Sequence, residues 1–260
     1  MGTPSPLKID TSRLGVADSS GHVQSALERG LPAFTPALVQ NDGAMVLCGS
    51  GPSIESHIEE IKRERLNGRP IVAVKGAHDF LCGHGIEPDL FVSLEPRDRR
   101  RDVQKKNGNT IYLLASRCHP TMFEHLSDCK IVLWHSASTE DENKAFENRG
   151  ERFLLVGGCS TSGLRALNLG YMMGFRKFVM YGMDSCLSID GRKRVNGDLA
   201  GQTIDVIVDG KTFICNYAMA QQANEFQMVY QFLPGITIES KGDGLLAAII
   251  NLRKKMGKHA

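Results

Sequence analysis

The sequence has no long apolar run. No stretch of its 260 residues approaches the roughly 18–20 needed to cross a bilayer, so a spanning helix is excluded. It has no excess of charge either. The formal net charge of +2 lacks the broad basic field with which proteins hold nucleic acid. Neither a membrane nor a nucleic acid is therefore expected as a partner. The seven cysteines (48, 82, 118, 129, 159, 186 and 215) include no C-x-x-C pair. A chain of this length buries enough core without disulfides, so reduced thiols and a cytoplasmic location are expected. No charged-then-apolar leader opens the sequence, and no export signal is read. Cys118, His119, His125 and Cys129 lie near one another, but adjacent ligands are awkward for a tetrahedral ion, and no zinc is expected. Two nucleotide signatures are missing as well. Gly49-x-Gly51 has Ile54 where a dinucleotide fingerprint needs its third glycine, and no G-x-x-x-x-G-K-[S/T] occurs.

What is present is ordinary globular usage, 42% hydrophobic and 23% charged. Residues 1–41 are polar and interrupted by proline, with one helix expected around residues 22–29, and read as an arm or cap. Residues 42–257 read as one domain. Short apolar runs recur at 44–48, 71–74, 90–94, 111–115, 131–134, 154–156 and 178–181, mostly separated by stretches of helical spacing such as Ile54, Ile58 and Ile61. Continuous apolar strands alternating with helices predict an α/β domain with a mostly parallel sheet covered on both faces. Residues 203–216 differ. Alternating apolar positions flank Asp209-Gly210, which predicts a β-hairpin excursion with a tight turn. A long helix over 217–232, a strand over 237–239 and a closing helix over 244–256 complete the reading.

Ligands bind beyond the carboxyl ends of strands in an open parallel sheet. Two such ends carry small-residue loops that open into helices: Gly49-Ser50-Gly51-Pro52-Ser53, and Gly157 to Gly163 with Ser160-Thr161-Ser162-Gly163 at its end. Backbone N–H groups and the helix dipole favour a phosphate at such turns, and two of them in one domain suggest a nucleotide-like ligand. On this reading a side chain at Gly51 fills the phosphate approach and leaves the fold intact. The other strand ends add Lys75-Gly76, Glu95, Asp98, His119, His135 and Asp184. Glu95, Asp98 and Asp184 are candidate Mg²⁺ ligands for phosphoryl transfer, or ribose partners. His119 and His135 are candidate general bases, with Asp184 as a further catalytic candidate. Each has a plainer alternative: a salt bridge between Glu95 and Arg97 or Lys75, a capping hydroxyl, or a structural histidine.

These residues resemble the MptE-like family, named after an archaeal 6-hydroxymethyl-dihydropterin diphosphokinase, whose wider relatives include Maf flagellin glycosyltransferases and bacterial CMP-sialic-acid sialyltransferases. The resemblance is carried by residues 47–53, 71–77, 85–96, 160–170, 174–184, 233–236 and 242–245. It implies a Rossmann-like three-layer sandwich in which residues 49–53 and 160–163 hold the phosphates and base or sugar of a nucleotide. Lys75 stands where relatives often have Asn, and Glu95 where they often have Asp. Sialyltransferase-like relatives draw a histidine base from the segment after the Asp184 motif. Residues 185–201 hold no histidine, only Arg192, Lys193 and Arg194, so His119 or His135 is expected in that role. The expected function is nucleotide-dependent transfer from a small-molecule donor, foremost a nucleotide sugar of the CMP type. A Mg-ATP-dependent diphosphokinase acting on a pterin-like substrate and a non-catalytic nucleotide-binding or assembly protein are the alternatives, and homo-oligomerisation is left open.

Overall fold

The computed structural model describes residues 19–136, 138–197 and 201–257. Residues 1–18 of the expected arm lie outside the described residues. The remainder of the arm forms helix α1 (Ser20–Leu27) and a loop leading to strand β1 (Asn41–Cys48). A 3₁₀ turn, Pro52–His57, runs into α2 (Ile58–Leu66). There follow β2 (Ile71–Val74), α3 (Ala77–Gly83), β3 (Leu90–Ser93), β4 (Ile111–Ala115), α4 (Pro120–His125) and β5 (Lys130–Trp134). Then come α5 (Glu140–Glu147), α6 (Ser162–Met172) and β6 (Phe175–Tyr181). The hairpin of β7 (Ile204–Val208) and β8 (Lys211–Cys215) precedes α7 (Tyr217–Phe232), β9 (Thr237–Ser240) and α8 (Leu245–Lys255).

Seven strands form one parallel sheet in the order β5-β4-β3-β2-β1-β6-β9. The period-two geometry of a strand explains why β1 is apolar at successive positions. Met45 and Leu47 join one core cluster with Leu164 of α6, Phe226 of α7 and Ile249 of α8. Val46 and Cys48 join a second with Ile58 and Ile61 of α2 and Leu81 of α3. Helices thus cover both faces, and the three-layer Rossmann-like arrangement is observed. Helix α6 lies very close to the sheet. A Cβ on Gly170 would stand 2.7 Å from both Met45 Sδ and Phe178 Cε1. The hairpin turns at Asp209 and Gly210, both left-handed (φ 51° and 77°), as a two-residue turn between twisted strands requires.

The apolar run at residues 154–156 does not form a strand. It makes an isolated bridge, Leu155 to His135, on the outer edge of β5, and Leu154 and Leu155 stay more than two-fifths exposed. A second isolated bridge joins Ala33 of the arm to Leu133. Together they cover an otherwise open sheet edge. The second small-residue loop therefore follows an edge cover, not a strand of the sheet.

Helix α1 is fastened to the same edge by buried polar contacts. Arg117, just past β4, forms an ion pair with Glu142 of α5 (3.3 Å), both almost fully buried. The hydroxyl of Ser19 donates to the same carboxylate, and the Ser138 N–H reaches its other oxygen at 2.6 Å.

Candidate functional site

The chain leaves β1 towards β2 on one side and returns to β6 on the other. At this switch point the loops after β1 and β6 diverge, and a crevice opens at the carboxyl ends. The opening is a pocket of about 130 Å³. Gly49, Ser50 and Gly51 form one wall, Thr161 and Gly163 another. The two small-residue loops, more than a hundred residues apart, meet there. Gly182, Met183 and Asp184 close the β6 side, and Lys75, Lys193 and Arg194 bring three cations.

The first loop is zipped to the end of β6. Gly49 N–H donates to Tyr181 O and Gly51 N–H to Gly182 O, each at 2.8 Å, and Ser53 N–H donates to Asp184 Oδ2 at 3.0 Å. The Ser53 hydroxyl donates to the other Asp184 oxygen. These amides, expected to face a phosphate, instead join β1 to β6. The loop glycines are needed for that contact. A Cβ on Gly51 would sit 2.7 Å from Gly182 O and run into the Asp184 carboxylate. The expectation that a substitution at Gly51 spares the fold is therefore corrected. Asp184 borders the pocket but its carboxylate braces the loop. Burial raises its pKa above the usual carboxylate value, against the lowering effect of the Ser53 bonds.

In the second loop, Thr161 caps α6 by accepting from Leu164 N–H (3.4 Å). Its hydroxyl also accepts from Gln222 Nε2 (3.1 Å), whose Oε1 accepts from the Ser185 hydroxyl (2.9 Å). This chain ties α6, α7 and the β6 loop around the pocket. Ser160 turns away, its N–H and hydroxyl both bonded to Glu225 (2.8 and 2.9 Å). Ser162 is buried in the first turn of α6. Pro52 and Ser53 do not border the pocket.

Lys75 and Ser185 both hold left-handed backbone (φ 53° and 51°), uncommon for residues other than glycine. Two such positions beside one pocket fit the clustering of backbone strain at functional sites. The Lys75 pKa is lowered to about 8, first by burial and then by Arg194, with Glu95 and Asp102 pulling the other way. Gly76 adjoins the pocket. A methyl placed on it would have no neighbour nearer than Asn196 Nδ2 at 3.9 Å.

The remaining candidates stand elsewhere. Glu95 is gripped by Arg97 through two bonds (2.7 and 3.0 Å), as the salt-bridge alternative foresaw. Asp98 is held by Arg100 at 2.7 Å and is exposed. With Asp184 committed to Ser53, the three acids do not converge, and among the described residues no three His, Cys, Asp or Glu side chains are placed to hold a metal ion. The Mg²⁺ ligand set therefore does not fit. His119 caps α4, its Nδ1 accepting from Thr121 N–H (3.3 Å). His135 is buried between the rings of Phe146 and Phe153, and burial lowers its pKa to about 4. By strand spacing, β4 and β5 end about 14 and 19 Å from β1. Neither histidine borders the pocket.

A comparison with protein families decides the chain's kinship. The family described as 6-hydroxymethylpterin diphosphokinase MptE-like matches residues 26–190. The chain belongs to the MptE-like family. Among solved structures, it is similar to the Maf glycosyltransferase from Magnetospirillum magneticum AMB-1, with a TM-score of 0.65 and 14% identity over 94% of this chain and 43% of that one. At that identity the likeness is one of fold. An uncharacterized protein of Treponema pallidum (strain Nichols) is 35% identical over 66 residues, 25% of this chain and 31% of that protein. The chain thus matches less than half the length of either protein. Among the described residues no helix is long and apolar enough to cross a membrane.

Several pocket residues had only faint sequence signals. Gln222 is a polar position in an alanine-rich helix, and Asn216, which caps α7 by accepting from Met219 N–H (2.9 Å), marks a helix start. Lys193 and Arg194 read only as a missing histidine; their charge was the usable signal.

Proposed function

We propose that this MptE-like chain is a nucleotide-dependent transferase that binds the phosphate-bearing part of an activated donor at the β1–β6 switch point, and that its donor is a nucleotide sugar of the CMP type. One observation carries the reading: loops from distant parts of the chain, with Lys75, Lys193 and Arg194, enclose a single pocket where parallel sheets bind ligands. Lys75, Lys193 and Arg194 border the cavity with a single carboxylate, Asp184, while Glu95 and Asp102 stand behind Lys75, and this lining favours an anion. The Thr161–Gln222–Ser185 chain supplies neutral hydrogen-bonding groups for a sugar or base. The structural neighbour is a Maf glycosyltransferase, which is consistent with transfer of a glycosyl group. The diphosphokinase alternative is less well supported, because Glu95 and Asp98 are engaged by arginines.

Calorimetric titration of CMP, UDP and ATP, each with and without Mg²⁺, tests the reading. CMP binding independent of metal, followed by CMP release from a CMP-sugar on incubation, is the expected result. Binding confined to ATP with Mg²⁺ would replace it with the diphosphokinase. A second reading has its own observation: His119 and His135 lie outside the pocket, and among the described residues no histidine lines it. Tight nucleotide binding with no turnover of any activated donor would favour a non-catalytic role.

A further inference from the structure

The segment after the Asp184 loop crosses the first glycine loop as a strap. Its backbone is joined to that loop where Val195 N–H donates to Ser50 O (2.8 Å). Val195 packs on the core cluster that contains Ile54. Arg192 grips Glu55 of the 3₁₀ turn through two parallel bonds, Nη1 to Oε1 at 2.8 Å and Nη2 to Oε2 at 3.1 Å. The strap is folded on itself as well, with Ser188 N–H donating to Arg192 O (3.0 Å) and Arg192 Nε to Asp190 (2.7 Å). Between the two attachments stand Lys193 and Arg194, and both face the pocket. Arg192 and Glu55 do not border it.

We propose that this strap, in place of a divalent cation, neutralises the phosphate charge of the ligand, and that the Arg192–Glu55 pair positions it from outside the pocket. The inference rests on reading the pocket as a phosphate site. Phosphate esters need their charge balanced by a metal or by fixed cations. Glu95 is held by Arg97, Asp98 by Arg100 and Asp184 by Ser53, the buried Asp102 faces the charges of Arg99, Arg194 and Lys75, and among the described residues no three His, Cys, Asp or Glu side chains are grouped to hold a metal ion. The cations are in place: a lysine gives a compact point charge and an arginine a fork that matches two phosphate oxygens. A bidentate arginine–carboxylate pair is a geometrically specific tether, so it fixes where the two residues after Arg192 point.

The test is calorimetric binding of CMP, UDP, ATP and inorganic pyrophosphate to wild type, Glu55→Arg, Arg192→Glu and the double reversal, in EDTA and in excess Mg²⁺. The single variants change net charge in opposite directions. If the tether matters, both weaken binding by about fivefold to tenfold and the double reversal regains most of it. Wild-type affinity is then equal within about twofold with and without Mg²⁺, and it falls with added salt. Opposite effects of the two single variants would mean that net charge alone acts, and unchanged affinities would mean that the tether is idle; either overturns the proposal. Nucleotide binding only with Mg²⁺ overturns it while leaving the nucleotide reading standing. If pyrophosphate follows the tether pattern but no nucleotide binds, the strap holds and the nucleotide reading falls. If nothing binds, both fall.

Discussion

The two ends of the carboxyl rim of the sheet make an instructive pair. Both are rich in polar side chains. Beyond β1 and β6, Lys75, Lys193, Arg194 and Thr161 surround an opening. Beyond β4 and β5, Arg117, Glu142, Ser116, Ser136 and His135 are buried, and the arm closes over them. A polar residue at a strand end is thus no measure of a site. Where consecutive strands are neighbours, the following loops pack on one another: Arg117 pairs with Glu142, while the Ser116 and Ser136 hydroxyls and His135 Nδ1 are closed in without a hydrogen-bond partner. Where strand order reverses, the loops part and leave an opening, which Lys75, Lys193, Arg194 and the hydrogen-bonded Thr161 border.

The contrast can be broken by substitutions at either end. The largest effect is expected at the closed end. Glu142→Ala leaves Arg117 as a buried charge without this partner and should cost about 3–5 kcal/mol in chemical denaturation. Nucleotide affinity of the folded protein should be untouched, and a matching loss of affinity would mean that the two ends are coupled. Next comes Gly51→Ala, whose methyl meets the Gly182 carbonyl and Asp184. It should lower stability by about 1–3 kcal/mol and weaken binding together, since the overpacked loop is also the pocket wall. A stable variant with full affinity would show that the β1–β6 seam gives way freely. Asp184→Asn removes one acceptor from Ser53 and should cost about 1 kcal/mol near neutral pH.

It should also change the pH profile. The folded pKa of Asp184 lies above its unfolded value. The stability it contributes is complete below the unfolded value and is lost as pH rises through the folded one. The variant should lack that decline in urea titrations. A smaller effect is expected at Lys75. With a pKa of about 8 its ammonium is lost above that pH, so anion affinity should fall about threefold as pH rises past it. Lys75→Arg should abolish the fall, and an identical profile in the variant would assign the titration to another group. Least of all, His119→Gln and His135→Phe should leave nucleotide affinity within about twofold, because each histidine makes its contacts away from the pocket. A tenfold loss in either would merge the two ends into one site.

The sheet was legible because apolar runs such as residues 71–74 and 112–115 are buried between two helical layers, and the hairpin because Asp209-Gly210 demands a left-handed turn. The run at 154–156 misled because an apolar edge cover and an interior strand have the same composition and differ only in their neighbours. The rim residues could be read off without strand order, but the crevice could not, since it exists only where β1 separates β2 from β6. His119 precedes Pro120, a residue suited to the first turn of a helix, and this neighbour marks it as a cap rather than a base. The tether was hidden for a simpler reason: Arg192 and Glu55 are 137 residues apart, and nothing local marks either as the other's partner.

Helix α6 has the contact at Gly170 at one end and Thr161 at the other, about 13 Å away at about 1.5 Å per residue. The missing side chain lets the rod seat against Met45 and Phe178. One added methyl there would act as a shim under a lever, tilting the helix and swinging its Thr161 end relative to the first loop. The gap between the two jaws is therefore gauged deep in the interior, by an atom that is not there.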